Sequence, residues 1–170
     1  ASKKRGEVLK DIGRIRKELQ KLIDKNFPKE MKEWLKLKER YQGGQMPLVE
    51  YLERATKIRM SYIVGRISPK SSTYDIPHTK PEISKLLSGD EKKIRKIDVM
   101  RLLGEIQQLE DGIVNAGLPL ERDRKTYGYY EGVLLLEKLN GIKLSHEEFT
   151  ALKGSLEGLK TEDVAKFIAR

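Results

Sequence analysis

The sequence predicts an all-α protein, a multi-helix bundle of about five to seven helices with a proline-rich loop at 68–81. Three observations predict this fold. Apolar residues recur every three or four positions in successive segments, which is the spacing of one face of a helix. Prolines and glycines separate these segments, and two Ser-x-x-Glu patterns are typical of helix starts. The chain of 170 residues is 38% hydrophobic, so it is long enough to bury a core.

Three helices are expected before the loop. Phe27 and Pro28 interrupt a first helical apolar pattern, and Pro28 suits the first turn of a second helix. Gly43-Gly44 ends that second helix, and Pro47 opens the third. The three helices are predicted over 7–26, 28–41 and 47–67. The apolar face of the first contains Val8, Ile12, Ile15, Leu19, Leu22 and Ile23.

Further helices are expected after the loop. Ser88 and Glu91 match a capping box, in which the hydroxyl caps the helix start and the carboxylate reaches back. A long fourth helix to residue 116 should follow, and Gly117 and Pro119 should end it. Its core face is expected to contain Ile94, Ile97, Leu102, Leu103, Ile106, Leu109 and Ile113. The remaining helices are predicted over 120–139, 145–158 and 161–169.

Positive charge is concentrated in the first part of the chain. Residues 1–70 contain 19 Lys+Arg and 9 Asp+Glu, whereas residues 71–170 contain 16 and 17. This asymmetry predicts a polyanionic partner for the first half, with nucleic acid ahead of an acidic protein or a membrane surface. A solvated Lys- and Glu-rich surface is the alternative. We therefore expect one compact domain with a basic helical half at 1–67, the loop at 68–81 and a neutral helical half at 82–170.

Several classes of protein are not expected. The longest apolar run, Val133 to Leu136, is too short to span a membrane, and the basic start at 1–5 lacks the apolar stretch of a secretory signal. The absence of cysteine excludes disulfides and thiolate ligands, and it fits either a reducing compartment or a hot or oxidising one where thiols are avoided. We expect a cytoplasmic protein without a cofactor or a membrane partner.

One line of cations on the first helix is the sharpest candidate for function. Its members step by four, three, four and four residues and are Lys10, Arg14, Lys17, Lys21 and Lys25. Such a line could follow the phosphates of a nucleic acid. Glu7, Asp11 and Glu18 flank it at helical spacing, so an ordinary salt-bridged outer face is the alternative.

Other cations extend this candidate nucleic-acid surface. They are Lys3, Lys4, Arg5, Lys32, Lys36, Arg40, Arg59 and Arg66. Arg59 and Arg66 fall near the apolar face of the third helix, where their stems could simply cover apolar surface. Trp34 and Tyr41 lie among the cations and could stack on bases, but the helical spacing of Trp34 favours a place in the core.

A tyrosine- and glycine-rich segment is the candidate protein interface. Gly128 and Gly132 are four residues apart on a predicted helix and would leave a bare groove for a second helix. Tyr127 and Tyr130 flank that groove, and tyrosine is favoured at interfaces. A protein partner or a homo-oligomer is therefore possible.

Catalytic motifs are not evident. The chain has no phosphate-binding glycine loop, no His-Glu-x-x-His and no nucleophile elbow, and its histidines, His78 and His146, stand in different settings. We expect a non-catalytic, nucleic-acid-associated binding or assembly protein whose basic N-terminal helices contact the phosphate backbone. A structural or virion-type oligomeric assembly protein is one alternative. A metal-dependent nuclease using Asp75 or Glu82 is another.

One stretch resembles a known family. The helix that begins Leu48-Val49-Glu50-Tyr51-Leu52 and contains Arg59 and Arg66, followed by a loop and Leu86-Leu87-Ser88-Gly89-Asp90-Glu91, is similar to the helical domain of archaeal GINS-type replication subunits. The resemblance covers residues 48–91. It implies a non-enzymatic, multi-subunit helical protein that acts in DNA replication.

Overall fold

The structure is a computed structural model that describes the backbone of residues 2–64 and 80–140 and the side chains of 6–63 and 80–139. Within these residues the regular elements are seven α-helices, which confirms the all-α prediction. They are α1 (Ser2–Asn26), α2 (Lys29–Gln42), α3 (Leu48–Val64), α4 (Pro81–Leu87), α5 (Glu91–Ile94), α6 (Val99–Gly117) and α7 (Glu121–Asn140). The loop prediction for 68–79 and the helix predictions for 145–158 and 161–169 lie outside the described residues.

Contacts group the described helices into two compact units. One contains α1, Phe27 and α7, and we call it the α1–α7 unit; the other runs from Pro28 to Pro119 and is the α2–α6 unit. This grouping differs from the division by charge, because the basic helices α1 and α2 belong to different units.

In the α1–α7 unit, α1 packs along α7. Leu19 and Ile23 of α1 and Val133 of α7 are buried, and Arg16 pairs with Glu137 across the two helices at 2.8 Å. Val8, expected on the apolar face of α1, is instead 53% exposed. The spacing predicts the correct face, and among the described residues burial on that face increases from Val8 through the half-buried Ile12 and Ile15 to Leu19 and Ile23.

The α2–α6 unit has a core of large side chains from three helices. Trp34 is fully buried, which confirms the core position that its spacing favoured. Pro28, expected in the first turn of α2, precedes the helix as its N-terminal cap residue with φ −58° and ψ 156°. The other fully buried side chains of this core include Met31, Tyr51, Leu52, Ala55 and Ile113.

The single long helix predicted to follow Ser88 and reach 116 is wrong, because that segment forms two helices, α5 and α6, and a further helix, α4, precedes it. Gly89 has φ +67°, a left-handed conformation that a helix cannot continue. Asp90 then caps α5 by accepting a hydrogen bond from the Lys92 amide, and Asp98 caps α6 by accepting one from the Arg101 amide. Two aspartate caps therefore divide the segment.

The expected roles of individual residues in this segment are wrong as well. Ser88 is not the N-cap of a helix, since its hydroxyl donates to the Lys85 carbonyl at the end of α4 at 2.7 Å. Ile94 and Leu103, expected in the core, are exposed. Pro81, expected in the loop, is the first residue of α4.

Two buried carboxylates lock α4 against α6. Glu105 of α6 accepts hydrogen bonds from the backbone amides of Glu82 and Ile83 at 2.9 and 3.0 Å, which satisfies donors at the start of α4. Glu82 in turn accepts from the Asp98 amide at 3.0 Å and from Lys85 Nζ at 2.8 Å. Chiefly through the Lys85 hydrogen bond, the pKa of Glu82 is lowered. Each helix start is thus held by a side chain of the other helix.

Candidate nucleic-acid interface

The five cations predicted to form a line lie on one exposed face of α1, which we call the α1 stripe (Lys10, Arg14, Lys17, Lys21 and Lys25). From its first to its last member the stripe spans about 22 Å at 1.5 Å per residue. It lies away from Leu19 and Ile23, which are buried on the other side of the helix. Apolar packing of one face of α1 therefore directs the charged face outward.

Ion pairing within the described residues leaves most of the α1 stripe without a carboxylate partner. Lys21 Nζ lies 2.7 Å from Glu18 Oε1. The other four members have no described carboxylate within 4.0 Å. In this part of the chain, the flanking Glu7 and Asp11, which could have produced a salt-bridged face, form no ion pair with the stripe. Among the described residues, most of the charge of the stripe is therefore not neutralised by an ion pair.

A second line of cations follows α2 at steps of three, four and four residues. We call it the α2 stripe (Lys29, Lys32, Lys36 and Arg40). Lys29 is 3.9 Å from Glu33, and Lys36 and Arg40 are exposed. These steps match the last three steps of the α1 stripe, although α2 belongs to the other unit. Each unit therefore carries its own row of cations.

The opposite face of α2 is held by a buried polar network. Lys38 Nζ lies 3.3 Å from Glu110 Oε2 of α6, and both side chains are largely buried. Tyr51 of α3 donates to the other oxygen of Glu110 at 2.7 Å. Lys38 also lies over the Trp34 ring at 5.3 Å, and Tyr41 stacks on Tyr51 at 4.7 Å. The network joins three helices and so fixes the direction of the α2 stripe.

Burial and charge in this network shift the pKa of its tyrosines. Burial, followed by the Glu110 charge, raises the pKa of Tyr51 well above its ordinary value. The same two causes, in the same order, raise the pKa of Tyr41. Both phenols therefore stay protonated, and the Tyr51 hydroxyl remains a donor to Glu110.

The structure brings Arg59 of α3 and Lys80, at the start of α4, to one edge of α6. A Cβ built on Gly112 would lie 2.7 Å from Arg59 Nε, so the guanidinium rests on the bare backbone there. Lys80 donates to Gln108, one turn earlier on α6, at 3.3 Å. Burial is the main cause that lowers the pKa of Lys80; the nearby Glu105 carboxylate opposes this shift, and the Arg59 charge adds to it.

Arg59 and Lys80 are near enough for their charges to interact. Arg59 has no described carboxylate within 4.0 Å, and the two like charges raise each other's energy. A phosphate between them would relieve that repulsion. The sequence predicts Arg59 as a candidate site residue but not Lys80. The one feature of the sequence that marks Lys80 is its position before Pro81, which indicates a helix start and not an anion site.

Some of the predicted site residues lie outside the described residues, and those of the candidate protein interface differ in burial. The side chains of Lys3, Lys4 and Arg5, and the residues Arg66, Asp75, His78 and His146, lie outside the described part of the chain. In the candidate protein interface, Tyr130 and Gly132 are buried, Tyr127 is half-buried and Gly128 is exposed with open space at its Cβ position.

Acidic side chains in the described ranges do not form an evident metal centre. Glu82, considered for a nuclease, has its carboxylate engaged by Lys85 and by the Asp98 amide. Residues 2–64 and 80–140 contain no group of three or more His, Asp or Glu placed to hold a metal ion. In the same ranges, none of the helices has the length and apolar character needed to cross a membrane.

Comparison of the chain with protein-family models, with curated proteins and with solved structures finds no match. The function of the chain is therefore inferred from its own geometry and charge.

Proposed function

We propose that this protein is a non-catalytic binding or assembly protein that associates with nucleic acid, and that the α1 and α2 stripes contact the phosphate backbone. The observation that carries the proposal is the α1 stripe, where four of five aligned cations have no carboxylate partner among the described residues. A row of exposed charges without partners gains most from releasing the counterions of a polyanion.

Further features support this proposal. The α2 stripe repeats the spacing, and the Lys38–Glu110 pair holds its helix in place. Arg59 and Lys80 offer a cationic pair to one phosphate. Contacts of this kind fix position without reading bases, so we expect weak dependence on sequence.

The proposal includes a place in a larger nucleoprotein assembly in the cytoplasm. A role in DNA replication is part of the proposal only through the resemblance of residues 48–91 to GINS-type subunits.

Fluorescence anisotropy with labelled single- and double-stranded DNA and with RNA, at low and moderate salt, tests the proposal. The test variant replaces Lys10, Arg14, Lys17 and Lys25 with Gln. The matched control removes the same charge from exposed positions outside the two stripes, Lys57, Lys92, Lys93 and Lys125. We expect the test variant to bind weakly and its salt slope to fall, by about 0.9 on duplex DNA and about 0.7 on single strands, for each phosphate that the protein no longer neutralises.

Two results would contradict the proposal. One is the absence of binding by the wild-type protein at low salt. The other is an equal loss of affinity in the test and control variants, which would show that only total charge matters.

A further inference from the structure

The beginning of α6 exposes a cluster of apolar side chains. Val99, Met100 and Leu103 are 63%, 77% and 47% exposed. Helical spacing places them on the side of α6 away from the core. The core side carries Leu102, Glu105, Leu109 and Ile113. We call the exposed residues, together with Gly104, the α6 outer face. Apolar side chains grouped in this way mark contact surfaces more often than isolated ones do.

Gly104 gives this face an unusual shape. A Cβ built at this position would meet nothing within 4 Å, so no neighbour among the described residues requires glycine there. Glycine in a helix interior is less favourable than alanine. The bare backbone beside Met100 and Leu103 would let a second helix approach closely.

Cations stand immediately before the α6 outer face. Lys92, Lys93 and Lys96 are exposed and have no described carboxylate within 4.0 Å, whereas Arg95 pairs with Glu91. Lys96 is three residues from Val99, a distance of at most about 11 Å. Asp90, Glu91 and Asp98 are also exposed in this stretch, but Glu91 pairs with Arg95 and Asp90 and Asp98 accept from helix-start amides, so three lysines carry the charge that is left unpaired among the described residues.

We propose that the α6 outer face is a docking site for an acidic amphipathic helix of a partner protein. The partner's apolar residues would cover Val99, Met100 and Leu103, its backbone would approach at Gly104, and its carboxylates would meet the Lys92–Lys96 segment. This is the helix-in-groove mode of recognition. It uses residues outside both stripes, so it is independent of nucleic-acid binding.

Two features favour a protein helix over an anionic membrane. A bilayer gains from apolar side chains that insert and gains nothing from the side chain missing at Gly104. In addition, the exposed Asp111 follows two turns after Gly104 on the same side of the helix. A uniformly anionic surface would meet Asp111, whereas a partner helix that carries its carboxylates only at the end near Lys92–Lys96 would avoid it.

The test uses the full chain and a labelled synthetic peptide that forms a helix with one leucine face flanked by glutamates. Gly104→Met and Leu103→Glu are the test variants, and Leu120→Ser, which changes an exposed leucine of the α1–α7 unit, is the control. We expect about tenfold weaker peptide binding or more in each test variant and no change in the control. Gly104→Met should keep or raise Tm, because methionine favours helix, so weaker binding cannot be attributed to unfolding.

Two further measurements complete the test. Binding to anionic vesicles of phosphatidylserine and phosphatidylcholine tests for a membrane partner, and light scattering of the protein alone tests for self-association. Equal peptide binding by all variants, or no peptide binding at low salt, overturns the proposal. Binding to the vesicles without binding to the peptide also overturns it, as does self-association that Leu103→Glu abolishes. DNA affinity should be unchanged in Gly104→Met, which separates this result from the test of the proposed function.

Discussion

The buried ion pair between Lys38 and Glu110 allows a quantitative test of how α2 is held. The two side chains are 8% and 14% exposed. Lys38→Met keeps most of the aliphatic stem but leaves the Glu110 carboxylate buried without its counter-charge. Removing one member of a buried pair costs about 3–5 kcal/mol. Because Tyr51 still donates to Glu110 and some solvent reaches the carboxylate, we expect the lower end, about 3 kcal/mol.

Urea unfolding followed by tryptophan fluorescence measures this cost, since Trp34 is the only tryptophan and is fully buried in the same unit. Lys36→Met, on the exposed side of α2, should change the free energy of unfolding by less than about 0.5 kcal/mol. The double variant with Lys38→Met and Glu110→Leu should recover much of the loss, because no buried charge remains unpaired. A cost for Lys38→Met no larger than that for Lys36→Met would refute the reasoning.

Three further predictions concern acid stability, anion binding and helix packing. Glu82→Gln should flatten the acid limb of a plot of unfolding free energy against pH. The pKa of Glu82 is lowered on folding, so the stability that its carboxylate contributes is present above the ordinary pKa of 4.5. That stability is lost as pH falls through the pKa of Glu82 in the folded protein. A curve that is unchanged would contradict this. Inorganic phosphate should raise Tm of the wild type, and Lys80→Met should remove that rise; an equal rise in both proteins would argue against the cationic pair. Gly104→Ala should stabilise by about 1 kcal/mol, whereas Gly117→Ala should destabilise by about 1–3 kcal/mol because its Cβ would overlap the side chain of Met31. Urea midpoints that shift in the same direction for both substitutions would contradict the packing described.

The two stripes differ in how the rest of the chain supports them. On α1, burial of Leu19 and Ile23 and the Arg16–Glu137 pair orient the helix. On α2, a buried charge and a stacked tyrosine pair do so. Loss of the network around Glu110 should therefore disturb the α2 stripe and leave the α1 stripe in place. The two contributions to binding can be separated in this way.

Much of the local structure is readable from neighbouring residues. Spacing on α1 separates the buried Leu19 from the exposed cations, and Pro28 and Gly43 mark the limits of α2 within one or two residues. The helical segment after the loop was less readable. Ser88 and Asp90 are both good N-caps, and Asp98 is a third, so local propensity does not decide which residues begin helices. In the structure, Gly89 separates α4 from α5, and Asp90 and Asp98 are the residues that cap α5 and α6.

The sequence by itself determined the all-α class, most helix limits and the existence of the α1 stripe, because each depends on residues within a few positions of one another. Only the tertiary structure decided which charges are neutralised and which apolar faces are covered. Glu110 meets Tyr51 across 59 residues of sequence, and Glu105 meets the Glu82 amide across 23. Such pairs depend on how helices pack, and no local pattern encodes them. For the same reason, only the fold determines that Leu102 is buried and that Leu103, its neighbour in the same apolar run, is exposed.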